Sequence, residues 1–199
     1  LDFSYIDLEG YISLFFLVLF EEMFFRGWGY NAFWSVFDKK SKNQKAFLRS
    51  DNTNNLSKND LKKLKELNVK TVIDLRYPNE TAKTPDKFKD VEWVKYHNIT
   101  VAINRKYSLY DRYIKALECK KLIKNIFETI ANAKEGTILF HCTYGKDRTG
   151  ILSMLLLGIA DVKNEDIVEN YLDCYLFDCS AENYDKEYGK NKENIEKVI

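Results

Sequence analysis

Apolar positions in the first half of the chain fall into short runs, and the polar residues between them mark where each run stops. Residues 11–25 read YISLFFLVLFEEMFF, broken only by Glu21 and Glu22. A bilayer-spanning helix needs about 20 apolar residues. Two readings stay open, a hydrophobic helix buried against a domain and a truncated or interfacial membrane segment. The lysine-rich 38–45 (DKKSKNQK) follows as a linker. Residues 46–49 (AFLR) predict a short strand and 50–55 (SDNTNN) a turn. Ser57 with Asp60 three residues on predicts a capped helix start, and Leu61, Leu64 and Leu67 recur at helical spacing to an end near Asn68. Residues 70–75 (KTVIDL) predict a buried strand, and 76–85 (RYPNETAKTP) a loop broken by Pro78 and Pro85.

Farther on, 91–99 (VEWVKYHNI) predicts a strand that begins at Val91 and Trp93. From 109 to 133 Ile114, Leu117, Leu122, Ile126, Phe127 and Ile130 form one helical stripe, with Gly136 as its terminator. Residues 137–142 (TILFHC) predict a compact buried strand and 151–160 (ILSMLLLGIA) an apolar helix. Asn164 caps a last helix carrying Ile167, Val168, Tyr171 and Leu172, before a polar tail from Ser180. Strands alternating with helices predict an α/β fold, a central and mainly parallel sheet flanked by helices. No internal repeat is visible.

At 199 residues the chain is long enough for one main core and too short for a multi-enzyme array. Its 31 basic and 30 acidic residues leave a net charge of +1, so no nucleic-acid partner is expected. Composition also divides the chain. Of the 29 Phe, Tyr and Trp residues 13 lie within the first 37, and the first lysine is Lys39. This predicts an aromatic N-terminal segment with its linker over 1–45 and a lysine-rich domain over 46–199. Cys119, Cys142, Cys174 and Cys179 show neither C-x-x-C pairing nor zinc spacing, so no metal and no cofactor is expected. Their use suits a reducing, cytoplasmic compartment, with secretion or membrane association as the alternatives. Leu1 stands where a methionine would open a chain, which suggests a processed or partial product.

The chemistry concentrates in HCTYGKDRTG, residues 141–150, between a predicted strand and a predicted helix. Cys142 stands six positions before Arg148. A loop of that length can curl until successive backbone N–H groups face one centre, made electropositive by the helix start. A phosphate suits that centre. The same field favours the thiolate and makes Cys142 a nucleophile. Arg148 would hold two phosphoryl oxygens through its planar fork and balance transition-state charge, which lysine does less well. Thr149 would donate a hydrogen bond to the thiolate, and Gly145 permits the tight curl. Lys146 adds positive charge at the mouth, and His141 would position the cysteine. A nucleotide-binding Walker loop does not fit, because Phe140 replaces its first glycine and Asp147 its Ser or Thr. Only six arginines occur, yet Arg49, Arg76 and Arg148 lie in the segments RSD, DLR and KDR.

This loop resembles that of the cysteine-based protein tyrosine phosphatases, and its GKDRTG form resembles the bacterial branch that also accepts phosphoinositides. Leu48-Arg49-Ser50-Asp51, then Thr71–Arg76 with Glu80 four residues on, then Asn170-Tyr171-Leu172 match that branch in order. The resemblance covers roughly 46–177. It implies metal-independent phosphomonoester hydrolysis through a phosphocysteine, on phosphotyrosine proteins with dual specificity or on phosphoinositides; a phosphate-binding module without turnover is the alternative. Thr143, Tyr144, Gly145, Lys146 and Thr149 would cradle the phosphate. Two residues compete for general acid: Asp147 resembles a position that supplies it in some loops of this type, and Asp74 the acid proposed for this branch. Asp74 would otherwise pair with Arg76 or Arg148. Arg49 and Arg76 would reach substrate, or pair with Glu80 and Asp51.

Near the N-terminus, Glu21-Glu22-Met23-Phe24-Phe25-Arg26 resembles the E-E-x-x-x-R motif of CAAX-type intramembrane proteases. Only His97 and His141 follow, too few for the histidine motifs such a protease adds. The segment then reads as a fused fragment, an amphipathic anchor that makes membrane contact through 11–25, or a chance match on a core helix.

Overall fold

The structure, a computed structural model, describes residues 45–104, 106–172, 192 and 195–198. The expectations for the hydrophobic run, the EEMFFR motif and the linker as far as residue 44 lie outside the described residues, and Lys45, placed at the end of that linker, is the first residue of a strand.

Four strands form one sheet: β1 (Lys45–Ser50), β2 (Val69–Asp74), β3 (Lys95–Asn98) and β4 (Gly136–His141), in the order β1-β4-β2-β3 with every pairing parallel. The α/β sheet flanked by helices is therefore present. In β4 every residue is buried, as a central parallel strand covered on both faces requires. Alternate side chains feed two cores. Phe47, Ile73, Ile138 and Phe140 meet α3 (Leu109–Glu118), α4 (Lys120–Ala131), α5 (Asp147–Ile159) and α6 (Asn164–Leu172). Leu48, Val72 and Leu139 on the other face meet Leu64 of α1 (Lys58–Glu66), together with Phe88 and Trp93. Ile195 and Val198, in what reads as a polar tail, join the first core.

Three expectations change. Residues 76–85 are not all loop, because α2 (Pro78–Lys83) starts at Pro78, whose missing N–H costs nothing at a first helical position. The strand expected from Val91 starts only at Lys95, because Val91, Trp93 and Val94 pack into the second core, the Trp93 ring edge-on to Phe88 at 6.0 Å. The single stripe over 109–133 is two helices, α3 and α4, broken at Cys119, and Gly136 opens β4 instead of ending a helix. Ala116 and Ile123 are seven residues apart, two helical turns, so the buried face continues across the break and periodicity does not register it. Gly136 has φ 135°, and a Cβ there would lie 2.7 Å from the Asn68 carbonyl oxygen.

Among the described residues no helix is long and apolar enough to cross a membrane.

Candidate active site

Strand register assembles the site. Ser50 and Asp74 both pair with His141, so β1, β2 and β4 end at one level, and the motif segments that follow them meet at the carboxyl edge of the sheet. Cys142, 3% exposed, follows β4 directly. The loop turns at Gly145, φ 63°, and enters α5 at Asp147. A Cβ on Gly145 would lie 3.0 Å from Asp51 N and from the Ser50 carbonyl, so a side chain there would be both strained and crowded.

Arg148, in the first turn of α5, points back at the loop. Its Nη2 donates to Thr143 Oγ1 at 2.9 Å and to Glu80 Oε1 at 2.9 Å, while Nη1 donates to Glu80 Oε2 at 2.6 Å. Thr143 Oγ1 donates to Glu80 Oε1 at 2.6 Å. Glu80 sits in α2, whose first turn it also closes by accepting from Tyr77 N. The hydrogen bonds from Arg148 hold its carboxyl down at about 2, against the opposing effect of burial. The Tyr77 ring centroid lies 5.6 Å from the guanidinium carbon.

Arg49 lies beneath the loop and is engaged with its backbone. It is 1% exposed and holds the loop from below, Nε donating to Gly145 O at 2.9 Å and Thr149 Oγ1 at 3.2 Å, and Nη2 to Lys146 O at 3.1 Å. Thr149 Oγ1 donates to Lys146 O at 3.3 Å, where a bond to the thiolate was expected. Its hydroxyl closes the loop onto the helix. Tyr144 is 66% exposed and Lys146 partly so, which sets both at the rim.

Arg76 and Asp74 are brought together in the interior. Both are fully buried; Arg76 Nε donates to Asp74 Oδ1 at 2.9 Å and Nη2 to Oδ2 at 2.7 Å. Nη1 reaches Asn52 and Thr84, and Tyr96 Oη donates to Asp74 Oδ2 at 2.7 Å. Of the two readings open for Arg76, pairing is the one present, and with Asp74, because a guanidinium sealed from water needs a carboxylate. Burial and Asp74 push the Tyr96 hydroxyl up, so it remains a donor. His141 is fully buried too, Nε2 at 2.7 Å from Asp86 Oδ2 and Nδ1 at 3.4 Å from the Cys142 carbonyl oxygen. Asp74, Asp86 and His141 are close enough to ligate a cation by residue type. The Arg76 guanidinium, 2.7 and 3.5 Å from the two carboxylates, supplies positive charge there already.

Asp51 adds a titration. Its Oδ1 is buried without a hydrogen-bond partner, and burial raises the carboxyl to about 7 although the His141 charge and its own backbone oppose this. An acid raised in the fold holds its proton where the unfolded chain has lost it. Stability should therefore fall as pH rises from about 4, the ordinary carboxylate value, to about 7, and stay lowered above that. Asp51→Asn should melt above the unaltered protein at pH 8, with the gap closing towards pH 4. A gap equal at both pH values would contradict the assignment.

A buried cysteine thus opens a curled loop between a parallel strand and a helix, and an arginine from the first turn of that helix folds back onto Thr143 of the loop. The sequence pattern of the tyrosine phosphatase family matches residues 34–197, and the chain belongs to that family. A tyrosine-protein phosphatase of Nostoc commune is 36% identical over 138 residues, covering 63% of this chain and 47% of its own length. A second relative, from Cupriavidus necator, is 28% identical over 149 residues, covering 65% and 53%. The chain thus spans about half the length of the curated relatives it matches. The solved structure of TpbA from P. aeruginosa aligns at a TM-score of 0.40 and 16% identity, over 76% of this chain and 84% of that one.

Proposed function

We propose that the chain hydrolyses phosphomonoesters, phosphotyrosine foremost, by way of a phosphocysteine on Cys142. The observation that carries this reading is the return of Arg148 to Thr143, 2.9 Å across a loop that begins with buried Cys142. A guanidinium has five N–H donors, and three are engaged by Glu80 and Thr143. Two remain for phosphoryl oxygens.

Sγ of Cys142 attacks phosphorus in line; the P–S bond forms as the P–O bond breaks, and Asp147 gives its proton to the leaving oxygen. Water then attacks the phosphocysteine. Asp147 takes the proton from that water, the P–S bond breaks and phosphate leaves. Asp147 is preferred to Asp74 because it is partly exposed at the loop, whereas both Asp74 oxygens are sealed against Arg76. Arg49 and Arg76 take supporting roles, one under the loop and one in the interior. The exposed Tyr144 ring at the rim favours an aryl phosphate, which can stack on it. Lys146 beside it suits a more highly charged head group, the phosphoinositide reading.

Rapid acid quenching during turnover of a 32P-labelled phosphotyrosine peptide should leave label on the peptide that contains Cys142. Steady phosphate release without such label would overturn the covalent route, and absence of release would leave a binding module. Phosphotyrosine, phosphoserine and phosphoinositide substrates run in parallel rank the substrate classes.

A further inference from the structure

Resting on the reading of Asp147 as general acid, we infer that Tyr113 and Tyr171 are positioning residues for it, two buried hydroxyls from α3 and α6 that meet at one oxygen of its carboxyl group. Tyr113 Oη lies 3.1 Å and Tyr171 Oη 3.4 Å from Asp147 Oδ1, and the two hydroxyls are 2.7 Å apart. The rings pack edge to face at 5.8 Å and 88°, and both side chains are buried. Packing alone does not account for the hydroxyls, because phenylalanine would fill the same space without polar groups to satisfy. Both tyrosine hydroxyls approach the same oxygen, Asp147 Oδ1, and the side chain is partly exposed. One oxygen is tied to the core and the other presents the proton.

Gly150 belongs to the same device. It lies one helical turn after Asp147, hence on the same face of α5, and a Cβ there would come within 2.8 Å of the Tyr171 ring. The ring crosses α5 at its missing side chain and so reaches the carboxylate. The last glycine of GKDRTG and the tyrosine of Asn170-Tyr171-Leu172, some twenty residues apart, thus serve one contact.

A general acid contributes about 10²–10⁴-fold, and its share depends on reach and orientation. Tyr113→Phe with Tyr171→Phe in the full chain should lower kcat on phenyl phosphate, a poor leaving group, about ten-fold. On 6,8-difluoro-4-methylumbelliferyl phosphate, a good one, the change should stay within about two-fold, with KM unaltered for both. In an Asp147→Asn background the same double change should add nothing. Equal losses on the two substrates, additivity with Asp147→Asn, or no loss would each overturn the proposal. The parent reading fails separately: if Asp147→Asn itself leaves the leaving-group dependence unchanged, or the unaltered chain turns over neither substrate, Asp147 is not the acid and the tyrosines position nothing.

Discussion

Cys142→Ser should cut turnover of an aryl phosphate by at least about 10³-fold, while tungstate still binds with an affinity within a few-fold of that of the unaltered protein. The exchange is close to isosteric at a site that is 3% exposed, so neither the loop nor the core has reason to move. A serine hydroxyl gives up its proton far less readily than a thiol, and Asp147 is assigned to the leaving oxygen, not to the nucleophile. The anion-holding parts are untouched: Gly145 still turns the loop, Arg49 still holds Gly145 and Lys146 from below, and Arg148 keeps its Thr143 contact. Separate titration calorimetry and steady-state kinetics on the same preparation distinguish loss of chemistry from loss of binding. Activity within about ten-fold of the original would remove Cys142 from the reaction. Loss of tungstate binding together with turnover would instead make the cysteine a structural part of the loop.

What the sequence disclosed about this site follows contiguity. Cys142, Gly145, Asp147 and Arg148 fall within one short stretch of sequence, so their types and spacing can be read together, and the strand before and the helix after are readable from the apolar pattern. The arginines of RSD and DLR were visible as motif residues, but their partners were not. Whether Arg49 faces the phosphate or the underside of the loop depends on the register of β1 against β4, in which Arg49 pairs with Phe140. Sequence order is blind to that choice. Glu80 was readable as a partner for Arg49 or Arg76 but not for Arg148, because Pro78 and Pro85 suggested a loop; α2 is what carries its carboxylate to Arg148. A helix-start signal was present, since proline at the first position with glutamate two residues later is good N-terminal chemistry. Tyr113 had no signal beyond its place on an amphipathic face. Its partner Asp147 is 34 residues away, and only the packing of α3 on α5 brings the two together.

Arg148→Lys should lower kcat on an aryl phosphate by about 10²–10³-fold, and donor count is the reason. Arginine offers five N–H groups, of which Glu80 and Thr143 engage three and phosphoryl oxygens can take two. A lysine ammonium has three, all at one point. If they serve Glu80 and Thr143, none is left for the phosphoryl group; if they turn to the phosphoryl group, Glu80 loses its partner. In the unaltered protein the Arg148 hydrogen bonds hold Glu80 at about 2, so it is ionised at neutral pH. Its pairing stabilises the fold above the ordinary carboxylate range and is lost only as pH falls towards about 2. Removing the competitor tests the argument directly. In Arg148→Lys with Glu80→Gln, the amide is a weaker acceptor, the ammonium is freed for the phosphoryl oxygens, and part of the lost kcat should return. If the double variant is no faster than Arg148→Lys alone, planar fork geometry and not donor competition sets the requirement for arginine. If Arg148→Lys itself stays within about three-fold of the original, transition-state charge is balanced elsewhere in the loop.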